Sequence, residues 1–338
     1  MSAQIGTGIE GRLGVITLNR PEAINAISLP MIEAIRGVLQ LWQGDDKVRA
    51  VLFEGRGERG FCSGGDVRAV RDAVLRGDRP AAEAFFATEY AMNGEIARFP
   101  KPVIAVADGV VMGGGIGIAG HARFRFTTPN ARFAMPEAAL GFVCDVGVNA
   151  ILRKAPLHRA LLFELSGQAV GAADALALGL TDCAVAPERL AEVRASLVAA
   201  AAASNIEQAL VGVMEAETIQ AGERVLCDLA DRLDEELMLD GAEEIVVAIE
   251  ESGEAPEMAA LLASRSPTSL EAIHRSHLAA RKSGDLDAIL SIDLRLARLL
   301  CGLPDFAEGV RAVLVDKDRK PRWQRAVPVA EITAAISG

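Results

Sequence analysis

A chain of 338 residues with 51% hydrophobic content is long enough for one large domain or two modest ones and can bury a substantial core. The formal net charge of −11 argues against a nucleic-acid surface, which needs clustered Lys and Arg, but leaves room for a local patch that binds an anionic ligand. Apolar runs such as residues 197–203 fall well short of the ~18 residues of a membrane span, so no membrane partner is expected.

In chain order, the N-terminal stretch Met1 to Gly14 lacks a basic n-region and an apolar h-region, which makes the cytoplasm the expected location. Short β-branched runs then alternate with helical patterns. Strands are predicted at Leu13 to Leu18, Ala50 to Phe53, Val103 to Val106 and Phe124 to Thr127, with helices at Pro30 to Trp42 and Pro80 to Arg98 between them. From about Glu188 the strand signal disappears and helical patterns take over, such as Ser269 to Lys282 and Leu286 to Leu300. The stretch Glu223 to Glu254 holds twelve acidic residues against two arginines at helical spacing, which reads as a solvated helix face. Ser252-Gly253-Glu254-Ala255-Pro256 reads as a loop.

The five cysteines (Cys62, Cys144, Cys183, Cys227, Cys301) are scattered without CxxC spacing and read as reduced. His121, His158, His274 and His277 show no metal-ligand spacing, so no metal is expected and the histidines read as structural. No G-x-S-x-G elbow is present.

The most informative segment is Met112-Gly113-Gly114-Gly115-Ile116-Gly117, between an apolar strand and a small-residue helix. Such a junction leaves backbone N–H groups uncovered toward negative charge. Gly115, Gly117 and Gly120 also spell the dinucleotide fingerprint G-x-G-x-x-G. That reading is weakened by the intervening Asp108 to Met112 and by Glu137, the nearest downstream acid, which follows Pro136 in an apparent loop. A second loop, Phe61-Cys62-Ser63-Gly64-Gly65-Asp66, also leads from a strand into a helical pattern. Two such junctions can aim two N–H groups at one oxygen, as an oxyanion hole requires; glycines for tight turns are the simpler alternative.

These two loops, together with Asn19-Arg20-Pro21, Asn25-Ala26 and Ala175 to Asp182, resemble the crotonase, or enoyl-CoA hydratase/isomerase, superfamily over the whole chain. The resemblance implies an α/β fold, a crotonase-like spiral of ββα units with a helical C-terminal region, divided as a core over residues 1–200 and a mainly helical region over 201–338. It also implies an acyl-CoA substrate whose thioester oxygen meets the N–H groups of Gly65 and Gly114. Coenzyme A is then part of the substrate and no separate cofactor is expected. Trimers or hexamers are the assemblies it implies.

Phe133-Ala134-Met135-Pro136-Glu137, Gly141, Asp145-Val146-Gly147, Ser266-Pro267-Thr268-Ser269-Leu270 and the tail Phe306 to Asp318 are similar to the 3-hydroxyisobutyryl-CoA hydrolase branch, a thioesterase of valine catabolism. Hydratases of the superfamily use two glutamates; here the first position is Gly117 and only the second, Glu137, is filled. By resemblance, Glu137 is the central catalytic residue, as nucleophile or as general base, with Asp145 and Glu89 as further acids near the acyl group. From the residues alone, Glu89 reads equally as a surface helix carboxylate and Asp145 as a helix N-cap. The chain departs from the branch at Cys144, Val148 and Asn149-Ala150-Ile151, which alters the expected acyl-pocket wall. Cys144 reads as a small apolar filler, since no partner histidine for a nucleophile is identifiable. The alternatives to hydrolysis are isomerisation or hydration of another acyl-CoA, and binding of acyl-CoA without turnover.

Overall fold

Residues 4–338 are described by a computed structural model, and their contacts separate into two units interleaved along the chain. The first comprises residues up to Gly65 with Ala91–Phe133 and Val170–Arg224; the second comprises Asp66–Tyr90, Ala134–Ala169 and Val225–Gly338.

The first unit is built on β-strands: β1 (Ile5–Glu10), β2 (Leu13–Leu18), β3 (Ala50–Gly55), β4 (Gly60–Cys62), β5 (Val103–Ala107), β6 (Val110–Met112), β7 (Phe124–Thr127), β8 (Arg132–Ala134) and β9 (Cys183–Ala184). In each of the pairs β3–β4, β5–β6 and β7–β8 the first strand joins a six-stranded sheet of order β1-β2-β3-β5-β7-β9, and the second joins a three-stranded sheet of order β4-β6-β8. β1 is antiparallel to β2, while β2, β3, β5, β7 and β9 run parallel. Each ββα repeat therefore advances the large sheet by one strand, and the expected spiral of ββα units is the observed one.

Alternation along the strands sorts their side chains onto two faces. Leu13, Val15, Ala50, Leu52, Ile104, Phe124 and Phe126 pack with Val193, Leu197 and Ala201 of the helix Leu190–Ala202. On β2 the residue between Leu13 and Val15 is Gly14, where a Cβ would lie 2.7 Å from the Trp42 ring of the helix Leu29–Gln43. Both faces are thus covered, which explains near-continuous apolar runs on the parallel strands. The sequence pattern did not predict β1, because Gly6 and Gly8 dilute its signal. Nor did it predict β4, β6 or β8, at three residues each too short for periodicity.

The second unit is helical. Ser266 caps the helix Pro267–Ser283, its Oγ accepting the Ser269 N–H and donating to Asp305 Oδ2 at 2.9 Å. Buried along that helix are Leu270, Ile273, His274 and His277, and Leu286–Cys301 buries Ile289, Ile292, Asp293 and Leu296. The predicted loop at 252–256 is present: Ala242–Ser252 ends at Gly253, in the left-handed region, and the next helix begins at Pro256.

The tail of the chain supports one short turn. Gly309, in the helix Pro304–Val310, lies so close to the turn Pro136–Leu140 that a Cβ there would sit 2.4 Å from the Leu140 carbonyl carbon. Gly141 closes the same turn with φ +68, and its Cβ would lie 2.4 Å from the Asp305 carbonyl oxygen. Phe306, Phe142, Phe86 and Tyr90 form a chain of ring contacts beside it, with Phe86 stacked on Phe142 at 5.0 Å.

Candidate active site

In the first unit β4 and β6 pair in parallel, Gly60 opposite Val110 and Cys62 opposite Val111. Parallel neighbours end at the same edge, so the loops that follow them, 63–65 and 113–115, emerge side by side. Their approach leaves no room for side chains. A Cβ on Gly64 would lie 3.2 Å from the Met112 oxygen and 3.7 Å from the Gly114 nitrogen, and one on Gly115 would lie 2.7 Å from the Cys62 oxygen. Gly64 has φ +104, and Gly113, the N-cap of the helix Gly114–Ala119, has φ +47; glycine adopts both at little cost.

The first of these loops is pinned from below. Ile27 N–H donates to the Gly64 oxygen at 2.8 Å, and Ser63 N–H to Ile24 at 2.9 Å. Buried Asn25 donates through Nδ2 to the Gly60 and Phe61 oxygens and accepts the Arg20 N–H on Oδ1. In the second loop, Ile116 and Gly117 N–H both close on the Gly113 oxygen at 2.8 and 3.1 Å, which leaves Gly114 as the first helical residue. Gly65 and Gly114 thus belong to two adjoining, rigidly held backbone segments.

The second unit gathers carboxylates. Glu137 is the second residue of the 3-10 turn Pro136–Leu140, and Glu89 lies on the helix Arg79–Ala97 next to Tyr90. Asp145 precedes Val146 and Gly147, both left-handed at φ +55 and +70. Glu89, Glu137 and Asp145 are 2%, 6% and 5% exposed, and Glu164 and Asp293 are buried as well. Tyr90 Oη donates to Asp145 Oδ2 at 2.6 Å, and Gly147 N–H donates to Asp293 Oδ2 at 2.8 Å. His277 Nδ1 lies 2.7 Å from both Glu164 Oε2 and Asn149 Oδ1, but only the contact with Asn149 has hydrogen-bond geometry.

Burial dominates the electrostatics of this group and favours neutral acids. It moves the Glu137, Glu89 and Asp293 carboxyls well above their usual range, and the charge of Asp145 adds to each shift. Asp145 is moved up to about 7 by burial, against the opposing pull of the Tyr90 hydroxyl. Burial, then the neighbouring carboxylates, hold the Cys144 thiol protonated, although its Sγ lies 4.0 Å from Glu137 Oε2. A buried thiol of that kind is not a nucleophile.

A profile described as enoyl-CoA hydratase/isomerase matches residues 13–336. The chain belongs to this family. Among curated relatives, the mitochondrial 3-hydroxyisobutyryl-CoA hydrolase of Xenopus laevis is 37% identical over 319 residues, 93% of this chain and 82% of the relative. The enzyme of the same name from Danio rerio is 35% identical, covering 96% of this chain and 87% of the relative. Among solved structures, one described as a carnitinyl-CoA dehydratase from Mycobacterium thermoresistibile superposes with a TM-score of 0.91 at 33% identity, covering 100% of this chain and 97% of the other.

The predicted residues fall into two groups in the structure. The structure brings the segments of Gly65 and Gly114 together in one unit and Glu89, Glu137 and Asp145 together in the other. Two sequence alternatives fall away. Glu89 is buried, so it is not a surface carboxylate. Asp145 is not a side-chain cap: Gly147 holds the N-cap position of the helix Val148–Leu152, while the Asp145 carboxylate faces Tyr90.

Four polar groups around these acids escaped the sequence reading: Tyr90, Glu164, Asn149 and Asp293. Tyr90 carries a signal, as the single tyrosine of the chain and the neighbour of Glu89. Glu164, inside Leu162-Phe163-Glu164-Leu165, and Asp293, between Ile292 and Leu294, are acids placed within apolar runs, but only the fold shows which face of each helix is buried. Among the described residues no group of three His, Cys, Asp or Glu is arranged to hold a metal ion, and no helix is long and apolar enough to cross a membrane.

Proposed function

We propose that the chain is an acyl-CoA thioester hydrolase acting on a short branched 3-hydroxyacyl-CoA, of the 3-hydroxyisobutyryl-CoA kind, and so belongs to valine catabolism. The observation that carries this reading is the match to curated hydrolases of that name across nearly the whole chain, the C-terminal helices included. Gly117 separates it from hydration: the position where hydratases of the superfamily carry their first glutamate has no side chain here, while the second is filled by Glu137. The dehydratase description of the structural neighbour is thereby the weaker guide.

In this reading Gly65 and Gly114 donate their N–H groups to the thioester oxygen, which becomes negative as the carbonyl is attacked. Glu137 acts in one of two ways. As a nucleophile it forms a mixed anhydride and expels the coenzyme A thiolate, and water then cleaves the anhydride. As a general base it removes a proton from the attacking water, and the tetrahedral intermediate expels the same thiolate, which is protonated. Either route consumes one water and yields the hydroxy acid and the free thiol. Asp145, held by Tyr90, and Glu89 face the substrate hydroxyl or the water. Coenzyme A enters as part of the substrate, and no further cofactor takes part.

A thiol-release assay over a panel of acyl-CoA esters tests the proposal. Rapid release from 3-hydroxyisobutyryl-CoA is the expected result. No release from any ester, together with loss of the conjugated absorbance of a 2-enoyl-CoA, would replace hydrolysis by hydration; binding without either signal would leave an acyl-CoA-binding protein. In a single turnover in ¹⁸O-water, label appearing in Glu137 establishes the anhydride route with water attacking the glutamyl carbonyl, since a general base acquires none. The cytoplasm and a trimeric or hexameric assembly belong to the same reading. The curated relatives are named mitochondrial, so cell fractionation and mass in solution test these two points.

A further inference from the structure

We propose that Asp293 is a positioning residue: by accepting the Gly147 N–H it holds the left-handed pair Val146-Gly147 that aims the Asp145 carboxylate. The inference rests on the hydrolase reading only in that Asp145 is one of its acids.

Three observations converge on it. Val146 is β-branched yet sits at φ +55, a region in which such a side chain crowds its own backbone and which persists only where the surroundings impose it. The next residue, Gly147, is also left-handed, and its N–H ends on Asp293 Oδ2 at 2.8 Å, a contact across 146 residues of chain. Asp293 itself is 1% exposed, its Oδ1 makes no hydrogen bond, and its neighbours along the buried helix face are Ile289, Ile292 and Leu296.

A buried carboxylate without a cation is costly. The groups that bear on Asp293 are themselves acidic or neutral: Asp145, Glu164 and the Tyr90 hydroxyl. An apolar residue would suit packing there better, so the role that remains for the carboxylate is the bond to Gly147. Asp145 is then held at both ends, its side chain by Tyr90 at 2.6 Å and its following backbone by Asp293. The 3.0 Å bond from Val148 N–H to the Asp145 oxygen closes the same turn.

The test compares Asp293→Ala, Asp293→Asn and Asp293→Ala combined with Val146→Gly. Loss of the acceptor should lower kcat about 10- to 100-fold with little change in KM, as expected when a reacting group is displaced by about 1 Å. Asp293→Asn keeps an acceptor oxygen and should retain most of the activity, which a role for charge would not allow. Val146→Gly removes the crowding and should restore much of the turnover of Asp293→Ala. Where the alanine variant does not fold, Asp293→Ser, whose hydroxyl stops short of Gly147, takes its place.

Amide hydrogen exchange over residues 145–150 should quicken in the acceptor-free variant. This readout requires no turnover, so it still judges Asp293 if the wild-type protein releases no thiol and the hydrolase reading fails. Unchanged exchange overturns the proposal, as do full activity of Asp293→Ala, equal loss in the asparagine and alanine variants, or no recovery on adding Val146→Gly.

Discussion

The two units differ in the polar groups they offer for chemistry. In the first, half-buried carboxylates meet arginines: Asp182 with Arg125, Glu95 with Arg36, and Glu54 with Arg194, which also pairs with Glu10. The polar groups offered there for chemistry are backbone N–H groups on glycine loops. In the second, Glu89, Glu137, Asp145 and Asp293 are buried without an arginine or lysine partner, and the charge of Asp145 pushes the other three carboxyls further toward the neutral form. Half-buried carboxylates of that unit do meet arginines, Glu308 with Arg311 and Glu271 with Arg275, so the contrast is confined to the fully buried group. A cluster of fully buried carboxylates without a cation, in a protein whose half-buried carboxylates find arginines, supports giving that cluster the chemistry in the proposed mechanism.

The sharpest test of this contrast is Glu137→Gln, which keeps shape and polarity while removing the ionisable group. Turnover should fall about 10²- to 10⁴-fold, the range of general acid–base catalysis, with acyl-CoA binding and fold retained. Thiol release and a binding isotherm measure it; undiminished turnover would remove Glu137 from the mechanism.

Gly114→Pro probes the other unit. Gly114 is the first residue of its helix, where proline is tolerated, so the change deletes an N–H with the helix start preserved. A loss of about 10²- to 10³-fold in kcat, the scale for one oxyanion donor, is expected. Equal activity would show that the donors of the first unit take no part.

Smaller effects should follow from filling the glycine contacts in each unit. At Gly309 a methyl group meets the Leu140 backbone at 2.4 Å, and at Gly64 it meets Met112 at 3.2 Å in a positive-φ conformation. Each alanine variant should lose about 1–3 kcal/mol of stability by denaturant titration, in the range of strained backbone positions. Gly309→Ala should disturb Glu137 and its pH dependence, whereas Gly64→Ala should disturb oxyanion binding with the pH profile intact.

The gentlest probe is pH. Asp145 has a folded pKa of about 7, above its unfolded value of 3.8, so the native state binds the extra proton between these limits. Stability from this group is therefore complete below about pH 4 and is lost as pH rises toward 7; Glu89, Glu137 and Asp293 shift in the same direction. Activity that needs ionised acids should rise over the same interval. Melting temperature and kcat/KM measured from pH 5 to 8 should thus move in opposite directions, and parallel movement would contradict the assignment. Asp231 runs the other way but lower: held down to about 2, first of all by its hydrogen bond to Arg159, it weakens the fold only as pH falls below about 4.

Much of the fold was legible because it rests on local signals. The β-branched runs, the glycines after them and the capped helices of the second half each carry their own periodicity or turn chemistry. Ser266 before Pro267 is one such case, where residue types at consecutive positions define a helix start. The candidate acids were legible too, although Glu89 could equally have been solvated and Asp145 could equally have capped a helix. Burial decides between those readings, and burial depends on residues far away along the chain. Tyr90 and Asp145 are 55 positions apart, and Asp293 and Gly147 are 146.

What the sequence by itself determined is therefore the chemistry on offer: glycine loops able to present N–H groups, a glutamate at 137, and no glutamate at 117. The tertiary structure alone decided which acids lose water, which lean on one another, and which hold a neighbour in place. The reason is physical. Hydrogen-bonding types and backbone permissions belong to single residues, whereas desolvation and charge coupling are properties of a neighbourhood that exists only after folding.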